Sequence, residues 1–222
     1  MRRNAPSILE WNLDKHYLQD LEAEGIGVVP TAYLSQGSAL SLAEVMAHRN
    51  WGDVVVKPAI AGGAYDTYRV TQTEDKTQTS PEPPMHEGSE SLWRALLAKQ
   101  DMLIQPFLHD VVESGEISLI WIDGEVTHGV WKKAKKDDFR VQDDFGGTVS
   151  NYYANNKEIN FAERVVKTLK ITPAYARVDV IVDKNEQLAL SELELIEPEL
   201  WFRKKKGSSD LLAGAIKKKN KI

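Results

Sequence analysis

Two β-forming runs late in the chain constrain it most. Ala176-Arg177-Val178-Asp179-Val180-Ile181-Val182-Asp183 and Leu190-Ser191-Glu192-Leu193-Glu194-Leu195 flank a polar stretch, Lys184-Asn185-Glu186-Gln187. Runs of this kind around a short polar turn predict a β-hairpin. Glu192 and Glu194 are two apart, so both carboxylates project from one face. Pairing Asp183 with Leu188 leaves a four-residue loop and sets Asp179 opposite Glu192. Like charges facing each other across a strand pair are destabilising, and a divalent cation reverses that sign. Three carboxylates without His or Cys are hard oxygen donors, suited to magnesium or manganese. The plainer alternative is a solvated acidic face on an edge hairpin, since antiparallel sheets readily expose one face.

The rest of the composition narrows the class. A chain of 222 residues can hold one large domain or two small ones around a real core. A net charge of −5 argues against general nucleic-acid binding. No run approaches the ~18 apolar residues of a membrane span, and the N-terminus does not read as a signal peptide. The absence of cysteine excludes disulfides and thiol catalysis, and fits a reducing cytoplasm.

Helix–strand units come first and hairpins follow. A helix is expected over 14–24, stopped by Gly25, and a short strand over 27–31. Ser41 and Glu44 form a capping box for a helix to about Arg49. Strands follow at 53–58 and 67–70, a polar connector over 71–88, a helix at 89–99 and a strand at 102–107. Glu116 to Ile122 and Glu125 to Trp131 are strands joined at Asp123-Gly124, a strong hairpin signal. A polar loop over 132–150, a helix over 160–170, the acidic hairpin and a short helix from Ser209 complete the chain. This order is α+β with antiparallel sheets. Neither a dinucleotide fingerprint nor a Walker A loop is present.

A second segment adds chemistry to the first. Val54-Val55-Val56-Lys57-Pro58 puts an ammonium at the end of a buried-type strand. Gly62 and Gly63 follow, and glycines let backbone N–H groups approach an anion closely. A lysine beside a glycine loop suits a polyphosphate. Alone it also reads as an ordinary strand end. With three carboxylates far downstream, the pair can hold the two ends of a magnesium–nucleotide complex.

In this order the motifs resemble the ATP-grasp superfamily, in its glutathione-synthetase-like group of carboxylate–amine ligases. The resemblance implies two α+β subdomains with antiparallel sheets clasping ATP. Lys15 matches the family's first lysine, and Lys57 with Gly62 and Gly63 its second lysine and mobile loop. Gln105-Pro106-Phe107-Leu108 matches the hinge against the adenine edge, with Gln105, Phe107 and Leu108 as contacts. Glu116 stands where the ribose hydroxyls are expected, with Glu113 as a rival. Asp179, Glu192 and Glu194 match the metal ligands. Lys132 and Arg140, in the segment from Gly129 to Gly147, match the loop over the reacting phosphate. The implied layout is an N-terminal helix and the start of the fold over 1–30, a small subdomain over 31–105 and a larger one with the metal hairpin over 106–222.

The resemblance further implies ATP and magnesium (or manganese) as cofactors and small carboxylate and amine substrates. No nucleic-acid or membrane partner is expected. The reaction would be amide formation through an acyl-phosphate. The family's usual N-terminal domain has no counterpart before Lys15: either the chain is truncated, or the gene is short, or another chain, in a homo-oligomer or as a separate N-terminal domain, supplies the missing part. The alternative is a non-catalytic, regulatory ATP-binding module, against which Arg140 and the three acids argue. The histidines lack partners at ligand spacing, and Trp93, Trp121, Trp131 and Trp201 read as core or contact residues. Substituting Asp179 or Glu192 is expected to remove turnover while barely harming the fold.

Overall fold

The computed structural model describes residues 4–63, 65–71, 87–109, 114–135, 147–183 and 185–219. The chain divides into two compact units. One comprises residues 14–16 and 30–108; the other gathers 1–13, 17–29 and 109–222. Each contains an antiparallel sheet.

The smaller unit holds β1 (Ala32–Leu34), α3 (Leu42–Arg49), β2 (Val54–Pro58), β3 (Tyr68–Val70), α4 (Glu87–Leu97) and β4 (Met102–Pro106). Its four strands lie in the order β1-β4-β2-β3. The Ser41–Glu44 capping box forms as the sequence predicts, and Asn50 closes α3 in the left-handed conformation. Leu42 and Met46 of α3 and Trp93 and Leu97 of α4 pack with Val54, Val56, Met102 and Ile104 of the sheet. Alternation along β2 turns Val54 and Val56 inward, leaving Val55 and Lys57 on the other face.

The larger unit holds α1 (Pro6–Leu13), α2 (Tyr17–Ala23), β5 (Glu116–Ile122), β6 (Glu125–Lys133), β7 (Thr148–Tyr152), α5 (Asn156–Lys167), β8 (Tyr175–Val182), β9 (Leu188–Glu194) and α6 (Ser208–Lys219). Its sheet runs β7-β6-β5-β8-β9. Asp123 and Gly124 make the predicted hairpin turn with φ of 50° and 115°. An Asn155–Glu158 capping box starts α5 four residues before the expected position.

Two elements add to those expected, one at the end of the polar loop over 132–150 and one before the helix over 14–24. β7 is a largely exposed edge strand beside β6, and its polar sequence hides it. Pro6 opens α1, where its missing N–H is harmless. This helix covers the outer edge of β9. Asn12 donates to the Leu193 carbonyl at 2.8 Å and accepts from Leu195 N–H at 2.9 Å. Tyr17 Oη accepts from Leu193 N–H at 2.9 Å. Asn4 donates to the carbonyls of Tyr175 and Leu195 and accepts from Ala174 N–H. Side chains thus satisfy backbone groups that an open edge would leave unpaired. In place of the strand expected over 27–31, a single parallel bridge joins Val28 to Leu190.

Candidate active site

The acidic hairpin forms, and Asp179 lies opposite Glu192. The path to that pairing differs from the simple expectation. The loop is one residue longer, with Val182 opposite Leu188, and a β-bulge near Ser191 restores the phase. Leu190 and Leu193 are therefore both buried although three apart. Beyond the bulge, Arg177 pairs with Glu194 and Asp179 with Glu192.

The neighbouring strands complete a charged cluster. Ser118 of β5 pairs with Asp179, and Glu116 of β5 pairs with Lys132 of β6. Lys132 Nζ lies 2.5 Å from Glu116 Oε2 and 3.0 Å from Asp179 Oδ2. Ser118 Oγ donates to Asp179 at 2.6 Å. Arg177 donates to both oxygens of Asp179, from Nε at 3.0 Å and Nη2 at 2.9 Å, and also to Glu194. Lys132 is 3% exposed and Asp179 2%, so these are buried charges that require partners. Gly115 makes the approach of β5 to β6 feasible. Its φ is 81°, and an added Cβ would meet the Trp131 indole and the Lys132 carbonyl oxygen at 2.5 Å or less.

Four carboxylates share this face of the sheet with Lys132 and Arg177. Burial raises the Asp179 pKa, but Arg177 and Lys132 outweigh it and hold the group down at about 2. Burial lowers the Lys132 pKa, while Asp179 and Glu116 more than restore it. Burial pushes Glu194 up to about 8; Arg177 opposes this, and the charges of Asp179 and Glu192 add to it. The group is short of positive charge. Its donors are oxygens, a set that fits magnesium or manganese in kind. Among the described residues, no three acidic or imidazole groups are already gathered as a metal cage. Arg177 holds Asp179 and Glu194, so a cation bound there would compete with it for their oxygens.

The smaller unit carries the expected nucleotide residues. Lys57 sits on β2 opposite Leu103, on the same face as Val55, which is opposite Gln105. Gln105 donates to Thr31 Oγ1 at 2.9 Å. Lys15 is buried; its Nζ donates to the Ala61 carbonyl at 2.5 Å, and its N–H donates to the Ala59 carbonyl at 2.9 Å. This lysine therefore pins the start of the glycine loop. Gly62 and Gly63 have open space around them, and Gly63 has φ 60°. At the hinge, Phe107 N–H donates to the Asp53 carbonyl at 2.8 Å, and the Arg69 guanidinium lies 3.7 Å from the Phe107 ring centre. The Phe107 backbone donor is thus engaged within its own unit. Leu108 follows it at the end of the unit.

Glu113 and Arg140 lie outside the described residues. The sequence reading missed Arg177, although its two-residue spacing from Asp179 already placed both on one strand face. It also read Trp201 as a core or contact residue, without a link to the charged cluster. The ring lies 5.3 Å from the Arg177 guanidinium carbon and 5.9 Å from Lys132 Nζ.

Comparison with known proteins identifies the fold. Residues 85–206 match the RimK-like ATP-grasp domain. The chain belongs to that family, and its two antiparallel-sheet units are those of the ATP-grasp fold. It is 26% identical over 207 residues to the cycloserine biosynthesis protein DcsG of Streptomyces lavendulae, covering 87% of this chain and 64% of that protein. The chain thus spans about two thirds of that relative's length. The crystal structure of D-cycloserine synthetase DcsG superposes with a TM-score of 0.80 at 25% identity, covering 96% of this chain and 72% of that one. A D-alanine–D-alanine ligase from Bacillus anthracis complexed with ATP shares the fold at 18% identity and TM-score 0.64, covering 93% of this chain and 64% of that one. No helix among the described residues is long and apolar enough to cross a membrane.

Proposed function

We propose that this chain carries the catalytic core of an ATP-dependent carboxylate–amine ligase that forms ADP and works through an acyl-phosphate. The observation that carries the reading is the buried cluster in which Lys132 and Arg177 stand against Asp179 and the Glu192–Glu194 strand. A phosphoryl transfer between anions needs preorganised positive charge beside the reacting group. In this reading Lys15 and Lys57, with Gly62 and Gly63, hold the nucleotide phosphates, and Gln105, Phe107 and Leu108 border the adenine. Glu116 keeps Lys132 in place, which leaves Glu113 for the ribose hydroxyls. Asp179, Glu192 and Glu194 would hold magnesium, which supplies neutralisation of the phosphate oxygens when bound.

The substrate carboxylate attacks the γ-phosphorus, and the bond to the β-phosphate oxygen breaks to release ADP. An amine then attacks the acyl carbon, loses a proton and expels phosphate. Lys132, Arg177 and Arg140 offset the charge that builds on the transferred group. The likeness to DcsG favours a small amino-acid-like carboxylate as substrate.

Hydroxylamine provides the test, because it converts an acyl-phosphate into a stable hydroxamate. Incubation with ATP, magnesium, hydroxylamine and a panel of amino and hydroxy acids should release ADP and hydroxamate in equal amounts with at least one acid. ADP release without hydroxamate would overturn the acyl-phosphate. ATP binding without turnover across the panel would favour the binding module.

A further inference from the structure

We infer that Trp201 is a positioning residue that keeps Arg177 and Lys132 in place while their acidic partners change hands. Its ring borders both cations, at 5.3 and 5.9 Å, within the range of cation–π attraction. Trp201 is 4% exposed, so the attraction acts away from water.

The residue is held there against two local preferences. Its backbone has φ 43° and ψ 47°, a left-handed conformation that is strained for a bulky side chain. Its indole N–H is buried without a hydrogen-bond acceptor, which Phe or Leu would avoid. The surrounding bonds over-determine the turn. Trp201 N–H donates to Glu199 Oε1 at 2.6 Å, and its carbonyl accepts from Lys204 N–H at 2.7 Å. The preceding carbonyl, of Leu200, lies 3.0 Å from His128 Nε2. A strained, over-determined aromatic beside a charged cluster marks a site where position matters more than ease of folding.

The need for such a residue follows from the hydrogen bonds. Arg177 is held by Asp179 and Glu194, and Lys132 by Asp179 and Glu116. This inference rests on the ligase reading in one respect, that Asp179 and Glu194 turn to a divalent cation during turnover. Arg177 then loses both acidic partners that hold it. The face of Trp201 is a partner that a cation cannot take, so the guanidinium stays aimed at the transferred phosphate.

The test reads Arg177 directly. In 15N-labelled protein, the Arg177 Nε–H resonance, assigned with Arg177→Lys, should be shifted upfield by the ring and stay sharp when magnesium chloride is added. In Trp201→Leu it should lose that shift and broaden on adding magnesium, and in Trp201→Phe the shift should persist. In steady-state assays, Trp201→Leu should lower kcat roughly thirtyfold while KM for ATP changes less than about threefold, with Phe or Tyr restoring most of the loss. An unshifted resonance in the unmodified protein, or a Phe variant as slow as the Leu variant, overturns the inference. Should Trp201→Leu fail to fold, the unmodified and Phe proteins decide by the resonance. If the unmodified protein lacks turnover, the ligase reading fails, and the resonance during magnesium titration still decides the role of Trp201.

Discussion

Among the described residues Lys132 is the cation that links Glu116 to Asp179, and Lys132→Met removes it. The side chain is 3% exposed, and its Nζ sits 2.5 Å from one carboxylate and 3.0 Å from the other. Methionine keeps most of the length and the packing. Removing one partner of a buried ion pair typically destabilises by ~3–5 kcal/mol, because a charge is left buried without compensation. Asp179 keeps Arg177 and Ser118, so Glu116 is the stranded group. That places the loss near the lower end, about 3 kcal/mol, which in a chain of this size lowers Tm by roughly 6–12 °C. Circular dichroism melting without nucleotide measures it. The double variant Lys132→Met/Glu116→Gln should recover at least half of the fall, since the stranded charge is gone. A single variant that melts within about 1 °C of the parent would refute the argument. A double variant no better than the single one would show that Glu116 is not the group left uncompensated.

Gly115→Ala should lower stability by ~1–3 kcal/mol and reduce turnover, because the new Cβ strikes the Trp131 ring and the Lys132 backbone at positive φ; an unchanged melt would refute this. Asn12→Ala strips both side-chain bonds from β9 and should cost about 2–4 kcal/mol, with faster amide exchange at Leu195. Asp179 has a pKa held at about 2 against an ordinary 3.8, so its stabilisation is complete above about pH 4 and is lost as pH falls towards 2. Acid titration of unfolding should therefore show a decline on the order of 2 kcal/mol across that window, flattened in Asp179→Asn. Glu192→Ala, on a less buried side chain, should lose turnover with little change in Tm, whereas Asp179→Ala should lose both.

For Asp179 that contrast departs from the expectation that its removal barely harms the fold, because the carboxylate is buried among charged partners. The sequence shows that Asp179 faces Glu192, but it cannot show that Ser118, Lys132 and Arg177 also converge on Asp179 from other strands. Period-two spacing was enough to put the acids on one face. It was enough for Arg177 as well, which the attention to carboxylates passed over. The bulge near Ser191 had a cue that went unused: the leucines run 188, 190 and then 193, 195, so the alternation changes phase across it. An overlong loop and a bulge cancel, and the right pairing follows from a wrong register. β7 escaped because an exposed edge strand has no apolar face to display. The role of Trp201 escaped for a different reason: its two cations come from β6 and β8, and only the folded sheet brings them to its ring.

The sealing of β9 by Asn4, Asn12 and Tyr17 has a consequence for biosynthesis. Asn4 and the Ala174 N–H that it binds are 170 residues apart. At roughly 5–20 residues per second, the ribosome takes on the order of ten to thirty seconds to deliver that partner after Asn4 is made. Through that interval α1 and α2 have no β8 or β9 to dock on, while residues 30–108 already contain all the strands of their own sheet. The smaller unit can therefore mature on the ribosome before the larger one closes, since that closure needs Asn4, Asn12 and Tyr17 to meet β8 and β9. Nascent chains stalled before Tyr175 should leave the N-terminal helices open to proteases and chaperones, and release past Leu195 should protect them.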